Sequence, residues 1–272
     1  MKRLIFGSGK TASIIKNDGD IVIPHQQCDI TNAPLVRTIT KEVNPDIVVN
    51  CAAKTNLEYC EDNKRITFDT NTVGPINVLM GAAETGAKFV HISSGCIFDG
   101  NDRVCDEDSV ANTSVWYTHT KKWADEYITA CGYENYLILR PRQMISATPH
   151  PTNMLTKFAQ YDEIFVHAEL NSLTCVEDFS EMLEHLLKTD QRGIFNCCND
   201  GLITPYDIAL GVKKYIKPSL EVNKVTYEYT LKLQPNRRVN TILSNDKIKN
   251  TGYSARSAHA ALEWTLKNYA KA

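Results

Sequence analysis

The stretch FVHISSGCIFDG at 89–100, followed by VWYTHTKK at 115–122, decides how the rest of the chain is read. Phe89, Val90 and Ile92 form a short apolar run of buried-strand length. Ser93, Ser94, Gly95 and Cys96 follow where a parallel strand ends, and in an open α/β sheet ligands bind outside that edge. An acidic loop separates this segment from a predicted helix on which Tyr117 and Lys121 stand at i and i+4, on one face. A hydroxyl, a thiol, a phenol and an ammonium are thereby directed to one cleft. A Tyr four residues before a Lys means little alone. It gains meaning after a strand ending in Ser-Ser-Gly-Cys, in a chain that opens with a glycine loop.

That loop is Gly7-Ser8-Gly9-Lys10-Thr11-Ala12, a G-x-G-x-x-A match directly after an apolar strand over residues 2–6. Gly7 and Gly9 remove side chains, so the amides of Lys10 and Thr11 at a helix start can hold a pyrophosphate. The same residues read GSGKT, the tail of a P-loop, but that motif needs glycine at position 4, where Leu4 stands. A second strand covers 20–23. An NAD-specific fold usually ends it with an acid for the ribose 2′-hydroxyl. Pro24, His25, Gln26 and Gln27 stand there instead, and Lys10 and His25 supply positive charge, which favours NADPH over NADH. Asp29-Ile30-Thr31 fits a turn beneath the adenine; Asp29 equally fits a helix cap.

A helix over 34–43 leads to a third strand, DIVVN at 46–50, ending in Cys51-Ala52-Ala53. Small residues at Ala52 and Ala53 let a dinucleotide approach the backbone. One long helix is predicted over 67–84, with Asn71 able to reach the strand ends, and Gly86 stops it. Another strand at 136–139 closes with Arg140-Pro141-Arg142. The strand–helix alternation predicts an α/β fold with a doubly wound parallel sheet of Rossmann type. Beyond residue 151 the rhythm loosens. Short helices are read at 153–160, 177–187, 206–215 and 258–269, strands at 163–166 and 193–197, and a basic loop at Asn236-Arg237-Arg238. The expected organisation is one unit over 1–272. Residues 1–140 and 172–203 form its cofactor-binding part, and 141–171 with 204–272 form a small substrate lobe.

Composition bounds the function. A chain of 272 residues, 43% hydrophobic, can bury a sizeable core, and its net charge of −2 offers no footprint for nucleic acid or membrane. No run of about 18 apolar residues occurs, and the apolar region of a signal peptide is missing at the N-terminus. The nine cysteines are odd in number and irregular in spacing, with no C-x-x-C and no H-E-x-x-H, so no metal site is expected. A soluble, cytoplasmic protein in a reducing compartment is the expectation.

Together the motifs resemble the extended short-chain dehydrogenases/reductases, and within them the dTDP-4-dehydrorhamnose reductase family. The matching stretches are Asp29-Ile30-Thr31, PDIVVNCAA at 45–53, Asn71-Thr72-Val73-Gly74, the segment 93–100 and Tyr117-x-x-x-Lys121. The chain is more similar still to the C-terminal half of plant rhamnose synthases, bifunctional UDP-4-keto-6-deoxyglucose 3,5-epimerase/4-reductases. There Gly95-Cys96-Ile97-Phe98, the run 171–174 and the Arg238 region have counterparts. Its glycine loop is one residue shorter than the usual extended form, and Ser94 replaces the Thr of the plant enzymes.

The resemblance implies roles. Cys96 stands where reductase-only relatives place Tyr in a Ser-Thr-Asp-Tyr run, whereas GDP-fucose synthases, which epimerise and reduce, have Ser-Ser-Cys-Ile-Tyr. A thiol with a free pKa of about 8.5 suits proton abstraction beside a ketone, and Lys157 is the candidate acid for the opposite sugar face. Ser94 and Tyr117 would hold the C4 oxygen, and Lys121 would lower the phenol's pKa and bind the nicotinamide ribose. Asn153 and Arg238 would bind substrate, Arg238 at the pyrophosphate. The expected activity is NADPH-dependent conversion of UDP-4-keto-6-deoxy-D-glucose to UDP-L-rhamnose. Two alternatives stay open: a reductase-only dTDP-4-dehydrorhamnose reductase, and a non-catalytic regulatory NADP-binding subunit. The nucleotide and the oligomeric state, a homodimer included, are left open.

Overall fold

A computed structural model describes residues 1–234 and 236–271. Its strands are β1 (Arg3–Phe6), β2 (Ile21–Ile23), β3 (Ile47–Asn50), β4 (Lys88–Ile92), β5 (Gly100–Cys105), β6 (Tyr136–Arg140), β7 (Met144–Ile145), β8 (Glu163–His167), β9 (Thr174–Cys175), β10 (Gly193–Asn196), β11 (Glu221–Val225) and β12 (Thr241–Leu243). Its helices are α1 (Lys10–Ile15), α2 (Ala33–Val43), α3 (Leu57–Asp62), α4 (Lys64–Phe68), α5 (Gly74–Thr85), α6 (Trp116–Ala130), α7 (Met154–Ala159), α8 (Val176–Lys188), α9 (Pro205–Tyr215), α10 (Tyr227–Lys232), α11 (Asp246–Lys249) and α12 (Ala258–Asn268). The chain divides into two compact units. The first comprises Met1–Ile97, Ala111–Arg140 and Leu186–Phe195; the second comprises Phe98–Val110, Pro141–His185 and the chain from Asn196 onward.

The first unit is built on one sheet of order β2-β1-β3-β4-β6-β10. β1 pairs parallel with β2 and β3, β3 with β4, and β4 with β6. The expected doubly wound α/β sheet is therefore present. Its strands read as continuous apolar runs because both faces are covered. Leu4, Phe6, Val48, Phe89 and Ile138 pack with Val36 of α2, Val78, Leu79 and Ala82 of α5 and Ile128 of α6. Ile5, Val49, Val90 and Leu137 are equally buried. Each such side chain contributes about 1.5–3 kcal/mol on complete burial.

Strand order reverses between β1 and β3. There Gly7 has φ +99°, and a Cβ on it would lie 2.8 Å from the amide nitrogen of Ala52. The glycine loop thus answers two demands, a left-handed turn and contact with the end of β3. Gly7→Ala is expected to cost about 1–3 kcal/mol of stability, the range for strained backbone. The urea midpoint checks it, with an unchanged midpoint as the contrary result.

The single helix expected over 67–84 is instead three segments. α4 ends at Phe68, a π-helical turn spans Asp69–Val73, and α5 restarts at Gly74. Pro75 in the first turn of α5 has no N–H to donate and its ring crowds the preceding turn. The widened turn carries Asn71 and Thr72 inward, where both are buried.

The second unit has its own core, including Ile145, Leu155, Ile164, Val166, Leu173, Ile203, Ile208 and Val212. Three parallel strand pairs frame it: β8 with β11, β5 with β12, and β7 with β9. The acidic stretch after Gly100 is thus a strand and not a loop. Its amide at Gly100 donates to the carbonyl of Asn240 (2.8 Å), and Ser244 donates to that of Cys105 (2.9 Å). Residues 172–185 and 196–203, expected with the cofactor-binding part, group with the second unit. There β9 pairs with β7, and Thr174 Oγ1 donates to the carbonyl of Cys197 at 2.8 Å.

Candidate active site

At the carboxyl end of β4 the chain turns through a short 3₁₀ segment, Gly95–Ile97. Ser94 is buried, and its Oγ accepts from the amide of Cys96 at 3.1 Å. The hydroxyl thereby fixes the half-buried Cys96 one turn beyond the strand. This bond uses the oxygen as an acceptor and does not commit the Ser94 O–H.

Helix α6 supplies the other two groups. Its first amide, on Trp116, donates to Glu61 Oε1 at 2.6 Å, so a carboxylate from α3 caps the positive end of α6. Tyr117 and Lys121 are both buried, the latter 1% exposed. Lys121 Nζ donates to the carbonyl of Ile92 at 2.9 Å and lies 3.1 Å from His91 Nε2. Burial brings Lys121 down from its ordinary 10.5 to about 8, against the opposing charge of Asp125. Behind it Asp125 pairs with Arg140 Nε at 3.0 Å, both side chains buried. Burial pushes the Asp125 carboxyl up, against the pull of Arg140.

The cofactor candidates gather at the same sheet edge. Gly9 precedes α1 in extended conformation and no side chain caps that first turn, which leaves amides for phosphate oxygens. Lys10 is buried at the helix start, and Thr11 follows it half-exposed. Asp29 accepts from the amide and hydroxyl of Thr31, both at 2.9 Å, so it holds a turn while Asn32 caps α2. Ile30 is buried against Gly74. Ala52 and Ala53 are half-exposed after β3. Asn71 is fully buried, bonding both the amide (2.8 Å) and the carbonyl (2.9 Å) of Lys54. Its part is to hold the β3 exit loop, with a further bond to Thr120 Oγ1 at 3.2 Å.

Three candidates belong to the second unit. Asn153 caps α7, and its amide hydrogens go to the carbonyls of Ser146 (2.7 Å) and Thr148 (3.0 Å). Lys157 is exposed on α7. Arg238 is half-buried, its carbonyl accepting from the Tyr227 hydroxyl. Ser94, Cys96, Tyr117 and Lys121 are thus in one unit; Asn153, Lys157 and Arg238 are in the other. Sequence reasoning missed Asn50, His91 and Asp125. A usable signal existed: Asn50 and His91 are polar residues inside runs that otherwise read as buried strand.

A parallel sheet with a glycine turn where strand order reverses, and Tyr-x-x-x-Lys on the helix beside it, defines a Rossmann-type nucleotide-cofactor protein. The chain belongs to the family described as RmlD substrate binding domain, which matches residues 9–271. Among curated proteins it is 28% identical to a bifunctional dTDP-4-dehydrorhamnose 3,5-epimerase/dTDP-4-dehydrorhamnose reductase of Arabidopsis thaliana, over 77% of this chain and 72% of the relative. It is 27% identical to a trifunctional UDP-glucose 4,6-dehydratase/UDP-4-keto-6-deoxy-D-glucose 3,5-epimerase/UDP-4-keto-L-rhamnose-reductase of the same plant, over 77% of this chain but only 32% of that relative's length. A crystal structure of a dTDP-4-dehydrorhamnose reductase from Clostridium acetobutylicum superposes with TM-score 0.87 at 26% identity, covering 100% of this chain and 99% of the other. Among the described residues no helix is long and apolar enough to cross a membrane, and no cluster of metal-ligating side chains occurs.

Proposed function

We propose that this chain is an NADPH-dependent nucleotide-sugar epimerase/reductase that converts UDP-4-keto-6-deoxy-D-glucose to UDP-L-rhamnose, by 3,5-epimerisation and then 4-keto reduction. The observation that carries this reading is the grouping of Ser94, Cys96, Tyr117 and Lys121 where β4 meets α6. The residues at the sheet edge fit a dinucleotide: Gly7 clears the approach to Ala52, and the first turn of α1 is uncapped. When bound, NADPH supplies hydride to C4. Ser94 Oγ and the Tyr117 phenol bind the C4 oxygen, first as an enolate and later as an alkoxide. Cys96 removes the proton beside the ketone, whose acidity comes from delocalisation into C4=O. Tyr117 protonates the alkoxide, with Lys121 supporting it from the next turn. Lys157 is assigned as the second epimerisation acid, and Asn153 and Arg238 as substrate-binding groups, on the family likeness alone. A cytoplasmic setting is in keeping with nine free thiols.

Incubation with NADPH and UDP-4-keto-6-deoxyglucose, with the dTDP compound in parallel, tests the proposal by NMR of the product. The L-rhamnose configuration supports it. Reduction without inversion leaves a plain 4-reductase, and no turnover of either ketone leaves a regulatory subunit. The carboxyl end of β2 carries Pro24, His25, Gln26 and Gln27 with no acid to repel a 2′-phosphate. NADPH is therefore expected to exceed NADH in kcat/KM by about tenfold or more, a difference of about 1.4 kcal/mol. Parity in paired initial-rate measurements contradicts this.

A further inference from the structure

Beneath the candidate site, a line of hydrogen bonds crosses the sheet. Asn50 and His91 are register partners on β3 and β4. The amide of Ala52 donates to Asn50 Oδ1 at 3.2 Å. Asn50 Nδ2 lies 3.1 Å from His91 Nδ1, and His91 Nε2 lies 3.1 Å from Lys121 Nζ. Asn50 and His91 are essentially inaccessible to solvent.

The direction of this line follows from its fixed end. A backbone N–H can only donate, so the Asn50 atom facing Ala52 is the oxygen. The nitrogen must then face His91, and an amide NH₂ donates. His91 Nδ1 therefore accepts. His91 is neutral: burial is the larger cause holding its pKa well below the ordinary 6.5, and Lys121 lowers it further only while it is an ammonium. A neutral imidazole with an accepting Nδ1 carries its proton on Nε2. That proton points at Lys121 Nζ. The amine form of Lys121 completes the line: its lone pair accepts from His91, and its own hydrogen goes to the carbonyl of Ile92. The ammonium form has no lone pair, and N–H then meets N–H.

We propose that Ala52, Asn50 and His91 form a directional relay that presents a hydrogen-bond donor to Lys121 and so favours its amine form, making Asn50 and His91 positioning residues for the catalytic lysine. Other titratable groups lie around Lys121. Tyr117 and Asp125 stand four residues either side on α6, with Arg140 of β6 paired to Asp125. On the β3 side is Cys51, whose thiol burial pushes up to about 12, against Lys121 and Arg3. Burial and the relay act on Lys121 in the same direction. Lys121 thereby becomes a group that exchanges a proton in the working range of pH instead of a permanent cation. The relay stands on sheet geometry; its catalytic meaning rests on Lys121 serving Tyr117, as proposed above.

Two-bond ¹H–¹⁵N NMR of the apo protein reads the His91 tautomer directly, with His91→Gln identifying the signal. The proton is expected on Nε2 throughout the neutral range. A proton on Nδ1 overturns the proposal. Asn50→Asp reverses the line: a carboxylate accepts from both Ala52 and His91 Nδ1–H, and Nε2 then accepts from the ammonium. In that variant the Lys121 pKa, followed by lysine ¹³Cε shifts, is expected to rise by at least about one unit, a tenfold change in protonation. A folded Asn50→Asp protein with the wild-type Lys121 pKa also overturns it. Should that variant fail to fold, the wild-type tautomer decides alone. Neither measurement uses turnover, so failure here is distinguishable from failure of the proposed activity.

Discussion

Tyr117→Phe is expected to lower reduction of the 4-keto sugar by about 10³-fold while leaving NADPH affinity within a few-fold of wild type. The phenol is the one proposed proton donor to C4, and general acid catalysis supplies about 10²–10⁴-fold. Little else changes. The ring remains in its buried place on α6. Lys121 keeps its anchors on β4, because these are His91 and the carbonyl of Ile92. The capping of α6 by Glu61 does not involve the phenol. Stopped-flow NADPH oxidation with the keto sugar measures the loss, and fluorescence titration measures cofactor binding. Wild-type oxidation by the variant would remove Tyr117 from the mechanism. A fall confined to cofactor affinity would recast it as a binding residue.

Lys121 shows why such a site is costly. A buried ammonium lacks water, and here its nearest side-chain partner is a neutral ring with a donor of its own. The carboxylate that offsets it, Asp125, is itself committed to Arg140. Removing either member of that buried pair leaves an uncompensated charge, a loss of about 3–5 kcal/mol. Stability alone would favour an apolar residue at position 121. Strongly perturbed groups of this kind cluster where proton transfer is the task.

The frame of the first unit was legible because its signals are local. Apolar runs ended by Gly7, Ala52 or Ser94 mark strands and where they stop, and Tyr117 and Lys121 share a helix face by spacing alone. What was illegible depends on partners distant in sequence. β5 has a single well-buried apolar side chain, Cys105, while Val104 is exposed, so no alternation announces it. It is a strand because β12, more than 130 residues later, pairs with it. The π turn at Asn71 is set by Pro75 and by the fit of Gly74 against Ile30. A helical periodicity passes smoothly over that interruption. Asn50 and His91 fall in different strands, and only parallel register makes them neighbours. Asn153 is matched to substrate binding by family likeness alone; that its side chain caps α7 and bonds the carbonyls of Ser146 and Thr148 depends on backbone groups that only the fold brings together.

Cys96→Ala is expected to separate the two proposed activities. The thiol sits on the 3₁₀ turn after β4, held there by the bond from its amide to Ser94 Oγ. That bond involves backbone and Ser94 only, so alanine leaves the turn and the Ser94 hydroxyl in place. Tyr117 is buried on α6, and Lys121 on the same helix is anchored to His91 and the carbonyl of Ile92. Reduction of a substrate supplied already epimerised, the 4-keto-rhamnose nucleotide, should therefore stay within a few-fold of wild type. Proton abstraction should not survive. Loss of a general base removes about 10²–10⁴-fold, and no other thiol lies on this turn. Deuterium incorporation from D₂O into the unepimerised ketone, followed by NMR, should fall by at least about 10²-fold. Lys157→Met is the companion variant. Lys157 is exposed on α7, so its replacement should leave the fold intact. If it is the second acid, exchange persists while inversion fails, since Cys96 still removes and returns a proton on its own side. Wild-type exchange and epimerisation by Cys96→Ala would reject the thiol as base, and reduction alone would then account for the site.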